Sequence, residues 1–484
     1  MQLSPPLLGI VVSLFLLLGA IASPARKPIK IDLTGAIQAA LENNLAIRVD
    51  SFGPQIARAG LLTESGTFDP ELLLEFEQLT RRASTDPMAE YRTSTATLGI
   101  EGKTPLGTTY RFGAASNSFN DYSQYNLGLN FSVNQPLLRG FGTDVNLASL
   151  RIARINVQSS EWAFRQQVME IVNRTITVYN ALYAAHRQYE AAKRSRDNAI
   201  ALEKEEQARA SLGVRIGLDV TTARAEAVAR EEAVLLAKQA IENNERFLKQ
   251  LISNDTDALL YTPIVIAPPP SPLIGPIDIK EALRNAFADR PDYQQALLEL
   301  KIRNINVVTT RNQTLPRLDL YASLNLLGVT RDEFARSFGF DSATSPDSWS
   351  AGITFRLPIP NRSARGRRDA AKLLKAQSLV ELQRMEQAII VEVANAAGQI
   401  ETARKRVHST REAYKLAQES LAAGHERLRA GTATAFEVLE LQRKLTESEA
   451  AVIKAESDYR VAISEFDLKT GTILRRNGIS ISLY

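Results

Sequence analysis

Two apolar rhythms run along the chain, and each occurs in both halves. Residues 144–212 contain neither Gly nor Pro, and Val168, Val172, Ile176, Tyr179 and Tyr183 recur at spacings of three and four. The same rhythm returns over 363–430 with Ile389, Val393, Ala396, Ile400, Ala403 and Val407. A narrow stripe, partly lined by Ala, predicts coiled-coil-like helices that approach closely. A single helix over the first tract would be roughly 100 Å long. Breaks centred on glycine follow, ASLGVRIGLDVTTARAEAV at 210–228 and RLRAGTATAFEVLELQRKL at 427–445. Shorter helices are predicted beyond them, at 219–253 and 436–470. Each half therefore ends in a long helical hairpin, over 144–253 and 363–470, with its tip at the glycine.

The second rhythm has period two. In YNLGLNFSVN, Tyr125, Leu127, Leu129, Phe131 and Val133 share one face, and Asn126, Gly128, Asn130 and Ser132 the other. RLDLYASLNLLG alternates likewise through Leu318, Leu320, Ala322, Leu324 and Leu326, as does WSAGITFRL through Trp349, Ala351, Ile353 and Phe355. Six strands are predicted near 71–79, 94–101, 108–116, 125–134, 317–327 and 349–357. One apolar and one small polar face suits a barrel wall with lipid outside and water inside. A half-buried sheet in a soluble protein would alternate identically. An open sheet cannot persist in lipid, because its edge backbone groups would be unsatisfied. Six strands are few for a wide pore, so closure requires several chains to pool them.

The halves echo one another in sequence. Gly213 aligns with Gly431, Asp219 with Glu437, Val220 with Val438, Glu231 with Glu449 and Val234 with Val452, an offset of 218 residues (431 − 213). LTGAIQAALENN at 33–44 matches IKEALRNAFADR at 279–290, and Pro70 falls opposite Pro316 at the same offset of 246 (316 − 70). His186 falls opposite His408, which reads as a pair of seam or surface residues. Duplication on this scale predicts two internal repeats, a first over 23–254 and a second over 277–474. The Pro-rich stretch TPIVIAPPPSPLIGP lies in a linker over 255–276. A short tail, 475–484, carries no recognisable motif.

Residues 7–20 are apolar, and Ala20-Ile21-Ala22 has a small-x-small form, so residues 1–22 read as an export signal peptide. The run is short for an anchor across a hydrocarbon core of ~30 Å. The 484 residues include no Cys, which excludes disulfides, thiolate metal sites and Cys acylation. Three histidines without metal-ligand spacing predict no metal, and no cofactor motif is present. Gly140-Phe141-Gly142 lacks a third glycine and reads as a tight strand-to-helix turn. Interleaved charges with a net +4 mark solvated helix faces, and they predict no nucleic-acid partner. No nucleophile or acid–base constellation suggests an enzyme. An exported coiled-coil scaffold or adhesin is the competing class.

A strand ending in Pro enters a long helix twice, in NQPLLRGFGTDVNLASLRIA and RLPIPNRSARGRRDAAKLL, and a G-x₃-[GA]-[LF]-[DE]-V tip follows each time. This combination resembles the TolC-like outer membrane efflux proteins over essentially all the chain after the signal region. The resemblance implies a mainly α fold with a β membrane part. It implies a homotrimer in which four strands per chain form one 12-stranded barrel, continued by a periplasmic α-barrel that narrows at its inner tip. It also implies an exit duct that is passive and gated by docking. Its partners would be a periplasmic adaptor, an inner-membrane transporter of the RND or ABC type, and outer-membrane lipid in a Gram-negative-type bacterium. A type I protein-secretion duct is the alternative within this class. The hairpin near 94–116 exceeds the four-strand count and would either enlarge the barrel or extend beyond it. Leu428 and Ala433 occupy the positions where the best-known relative ties its closed tip with a tyrosine and an arginine, so Arg215 is the candidate for another ionic tie.

Glu437 and Glu440, three apart, lie on neighbouring positions of one helix face. By resemblance they match an acidic ring at the constriction, where carboxylates favour cations. The alternative, for these two and for Asp219, is an ordinary role in a solvated helix N-terminal turn, where the helix dipole favours carboxylates. Asp219 is the first-repeat counterpart. Gly213, Arg215, Leu218, Gly431, Thr432 and Phe436 are the expected tip residues for adaptor docking.

Overall fold

The structure, a computed structural model, describes residues 29–82, 90–119, 124–211, 217–255, 257, 262–270, 275–330 and 348–481. The predicted signal region, Gly213 and Arg215 lie outside them.

A short strand β1 (Ile29–Ile31) leads into α1 (Leu33–Asn43), α2 (Leu45–Asp50) and α3 (Phe52–Ser65). Four strands follow: β2 (Glu71–Arg82), β3 (Glu90–Lys103), β4 (Thr109–Phe119) and β5 (Gln124–Pro136). A single-turn helix α4 (Thr143–Asn146) precedes α5 (Ala148–Ser211) and α6 (Gly217–Ile252). Strand β6 (Ile264–Ile266) pairs in parallel with β1. The second half comprises α7 (Ile279–Asp289), α8 (Pro291–Gln313), β7 (Arg317–Thr330), β8 (Ser348–Arg356), α9 (Arg362–Arg429), α10 (Ala435–Lys469) and the short α11 (Ile473–Arg476). With 64 and 68 residues, α5 and α9 are each about 95–100 Å long.

β2, β3, β4, β5, β7 and β8 form one antiparallel sheet in that order. The 94–116 hairpin therefore lies within the sheet, and the chain contributes six contiguous strands where the resemblance implied four. Register explains why. Leu72 pairs with Ile100, Ile100 with Phe112, Phe112 with Phe131, Phe131 with Leu324 and Leu324 with Trp349, a row of apolar side chains crossing every strand. All six are exposed, from 40% at Leu324 to 77% at Trp349. The opposite face carries Glu71, Glu101, Arg111, Ser132, Ser323 and Ser350 in one row. Slipping any strand by one residue would exchange the two faces, so this pattern holds the register.

The sheet joins the helices through rigid turns. Gly140 and Gly142 adopt φ values of 88° and 97°, which side chains strongly disfavour. The Gly140 N–H donates to Asn312 Oδ1 at 2.8 Å, and Asn146 Nδ2 donates to the Gly140 carbonyl at 2.8 Å. At the second junction Asn361 takes the left-handed conformation and its amide donates to the Thr314 carbonyl at 3.2 Å; Asn tolerates that region better than most residues. The turn between β3 and β4 is docked on the first junction, with the Gly142 N–H donating to the Leu106 carbonyl at 3.2 Å.

Away from the sheet the helices pack side by side. The main core buries Val168, Met169, Val172, Tyr179 and Leu182 of α5 against Ala36, Ile37 and Ala40 of α1 and Leu248 of α6. The Tyr179 hydroxyl donates to the carbonyls of Ala267 (2.7 Å) and Ile31 (3.2 Å), fastening the β1–β6 pair to α5; burial pushes its pKa up to about 12. In the second half Ala282 and Ala286 of α7 cover Ile389 and Val393 of α9. Ile473 and Leu474 of α11 enter the first-half core, so the end of the chain locks the two halves together. His186 is half-buried and its pKa is lowered by that burial, whereas His408 is exposed. The two histidines are not equivalent. Among the described residues, no helix is long and apolar enough to cross a membrane.

Candidate functional site: the hairpin tips

The second tip is described in full. Helix α9 ends in a Schellman turn: the Thr432 N–H reaches the Arg427 carbonyl at 2.9 Å and the Gly431 N–H that of Leu428 at 3.1 Å. Gly431 has φ 75°, the left-handed conformation this motif requires. Helix α10 then starts at a capping residue, Thr434, whose hydroxyl accepts from the Glu437 N–H at 3.2 Å. T-x-x-E is the sequence form of a capping box, and it is the signal by which Thr434 could have been found.

The tip is held from inside by apolar contacts. Leu421 and Leu428 of α9, Val438 and Leu439 of α10 and Leu202 of α5 form one buried cluster. Gly424 permits the close approach, since a Cβ there would lie 2.5 Å from Leu441 Cδ1. Val438 is fully buried, and Glu437 and Glu440 point away from it with about half their side chains exposed. Phe436 is also exposed.

Neither carboxylate is unaccompanied. Glu437 Oε2 lies 3.6 Å from Arg427 Nη2 across the hairpin. Glu440 is gripped by Arg443, with Nε and Nη2 donating at 2.9 and 3.1 Å. Arg443 also reaches Glu447 at 3.1 Å, and those carboxylates raise its pKa further. Sequence reasoning singled out the acids and missed both arginines. The spacing of three between Glu440 and Arg443 was visible in the chain, whereas the Arg427 contact depends on the turn. Above the tip, Arg194 of α5 meets Glu449 of α10 at 2.5 Å.

For the first tip, Leu218 and Asp219 fall in the opening turn of α6, and their side chains lie outside those described. Because Gly213 and Arg215 also lie outside, the expected ionic tie through Arg215 has no described partner. Among the described residues no group of three or more His, Cys, Asp or Glu could hold a metal ion.

Comparison with known proteins agrees with this architecture. The sequence profile of the outer membrane efflux proteins matches residues 36–254 and 282–470. Over 436 residues the chain is 25% identical to the outer membrane efflux protein BepC of Brucella suis, covering 89% of this chain and 83% of that one. The crystal structure of the Campylobacter jejuni CmeC outer membrane channel superposes with a TM-score of 0.70 at 18% identity, covering 98% of this chain and 94% of CmeC. The open state of the Neisseria gonorrhoeae MtrE outer membrane channel gives 0.67 at 18% identity, covering 91% and 89%. Family and fold are those of channel proteins rather than enzymes, and the location is the outer membrane, with a periplasmic helical extension. The chain belongs to the outer membrane efflux protein family.

Proposed function

We propose that the protein is the outer-membrane exit duct of a tripartite export system, built as a homotrimer of two-repeat chains. Members of the family serve as the outer-membrane component beside an adaptor and an inner-membrane transporter. The observation that carries the reading is the continuity of each chain. A two-faced sheet passes through rigid turns into hairpins about 95–100 Å long, with antiparallel helices enough to line a tube. The duct is passive: it carries what its pump delivers, and opening follows docking at the glycine turns of Gly213 and Gly431. Arg215, Leu218, Thr432 and Phe436 flank those turns and complete the docking surface.

In this reading Glu437, Glu440 and Asp219 of three chains surround the constriction. Rings of carboxylates in a narrow pore favour cations. Arg427 and Arg443 stand beside two of those carboxylates and weaken the ring's field. Replacing both acids, Glu437→Gln with Glu440→Gln, should lower cation preference and block by multivalent cations in single-channel recordings. Selectivity indistinguishable from wild type would remove Glu437 and Glu440 from the pore.

A further inference from the structure

We infer that all six strands of each chain lie in the membrane wall, so that three copies close an 18-stranded barrel in which β8 of one copy pairs with β2 of the next. This rests on the trimeric duct proposed above and changes the barrel implied by the resemblance, which has four strands per chain.

Three observations carry it. First, β3 and β4 are hydrogen-bonded to the sheet on both sides, over 12 pairs between β2 and β3 and 11 between β4 and β5. A hairpin reaching beyond the membrane would not share its whole length with flanking wall strands. Second, the apolar face passes through them without interruption, in the row from Leu72 to Trp349 and again in the next row, Leu74, Leu98, Ala114, Leu129 and Leu326. At 14 and 11 residues these strands reach the roughly 9–11 residues needed to span a bilayer at a ~45° tilt. Third, the turn between them is fixed at the periplasmic rim. The Leu106 carbonyl accepts from Gly142, and Gly107, at φ 94°, lies so close to the Gly140 carbonyl that no Cβ fits.

Both ends of the sheet, β2 and β8, are open edges among the described residues. Unpaired strand groups cannot be satisfied in hydrocarbon, so the edges need partners. A second copy of this chain supplies them. Six strands alternating in direction leave β2 and β8 antiparallel, as pairing between neighbouring copies requires. The apolar row ends at Leu72 on one edge and Trp349 on the other, and joining copies continues it around the barrel. With strands ~4.8 Å apart and tilted by ~40°, 18 strands give a backbone radius of about 18 Å, against about 12 Å for 12 strands. The enclosed cross-section more than doubles, which leaves the periplasmic tip to decide what passes.

The test is electron cryo-microscopy of the full protein in detergent or nanodiscs, with strands counted in a section through the barrel. Eighteen strands would support the proposal. A threefold particle with 12 strands and the 90–119 hairpin outside would overturn it and leave the duct intact. A particle without threefold symmetry would overturn the duct and this barrel together. A second measurement uses the absence of native cysteine. Glu75→Cys with Thr97→Cys, and Ala115→Cys with Gly128→Cys, place thiols at facing positions of β2–β3 and β4–β5. A short thiol-reactive cross-linker should bridge both pairs in outer-membrane preparations. Failure of both, in protein that still forms trimers, would place the hairpin outside the wall.

Discussion

Replacing Gly107 by Ala tests how firmly the β3–β4 hairpin is built into the molecule. Gly107 has φ 94°, and an added Cβ would overlap the Gly140 carbonyl oxygen and lie 2.7 Å from Asn146 Nδ2 and 3.2 Å from Pro136 Cγ. The backbone region alone costs an L-residue about 1–3 kcal/mol. Displacing the turn also disturbs two hydrogen bonds, Gly142 N–H to Leu106 O and Asn146 Nδ2 to Gly140 O, each with a net value of about 1 kcal/mol. The expected loss is about 3–5 kcal/mol. Gly142→Ala isolates the conformational part, because its φ is 97° but nothing lies within 4 Å of the added Cβ. The measurement is the denaturant midpoint of both variants in detergent, followed by the β signal in circular dichroism. Gly107→Ala should unfold earlier than Gly142→Ala. Equal midpoints would mean that the turn is not seated on the junction and that the β3–β4 hairpin is not anchored there.

Two further outcomes follow from the helical part. Glu456 of α10 binds Arg187 of α5 at 2.7 Å and Arg411 of α9 at 2.6 Å, and its side chain is only 13% exposed. Glu456→Gln leaves both cations, and nearby Arg460, without their shared counter-charge. A loss of about 1–3 kcal/mol is expected, between exposed and fully buried pairs, and thermal melting that matched wild type would show the three-helix contact to be ornamental. The second concerns pH. Burial alone would raise the Asp292 and Glu392 carboxyls, but hydrogen bonds and charge from Arg290 bring both below their ordinary range. Their stabilisation is complete above the ordinary carboxylate range and fades as pH falls through the lowered native values. Asp467 has the opposite sign: burial raises its pKa despite Arg476, so its contribution declines as pH rises from the ordinary Asp range. Asp292→Asn should lower the melting temperature near neutral pH and change little in strong acid. A pH-independent effect would assign Asp292 a packing role instead.

Much of the fold could be read from periodicity. Leu127, Leu129 and Phe131 alternate with Gly128 and Asn130 in a way only a two-faced strand accommodates, and the Gly- and Pro-free tract of 144–212 reads as one long helix. The place of the 94–116 hairpin was less legible. RTSTATLGIEG carries few apolar residues, and its place in the two-faced sheet appears only when Leu98 and Ile100 are set in register between Leu74 and Ala114 and between Leu72 and Phe112. The acids at the tip could be named from the chain, but the Arg427 partner of Glu437 requires the hairpin to fold back on itself. The closing segment was opaque for the same reason. Ile473 and Leu474 read as an unremarkable end until their burial against residues some 300 positions earlier is seen (473 − 172 for Ile473 and Val172).

The proposed duct is one continuous passage made by three of these chains. It is tested most directly by the mass and symmetry of the particle extracted from outer membranes in mild detergent. A complex of three chains with threefold symmetry, a barrel at one end and a tube roughly 100 Å long is the predicted result. A soluble monomer or dimer, with no membrane-bound fraction, would contradict the account.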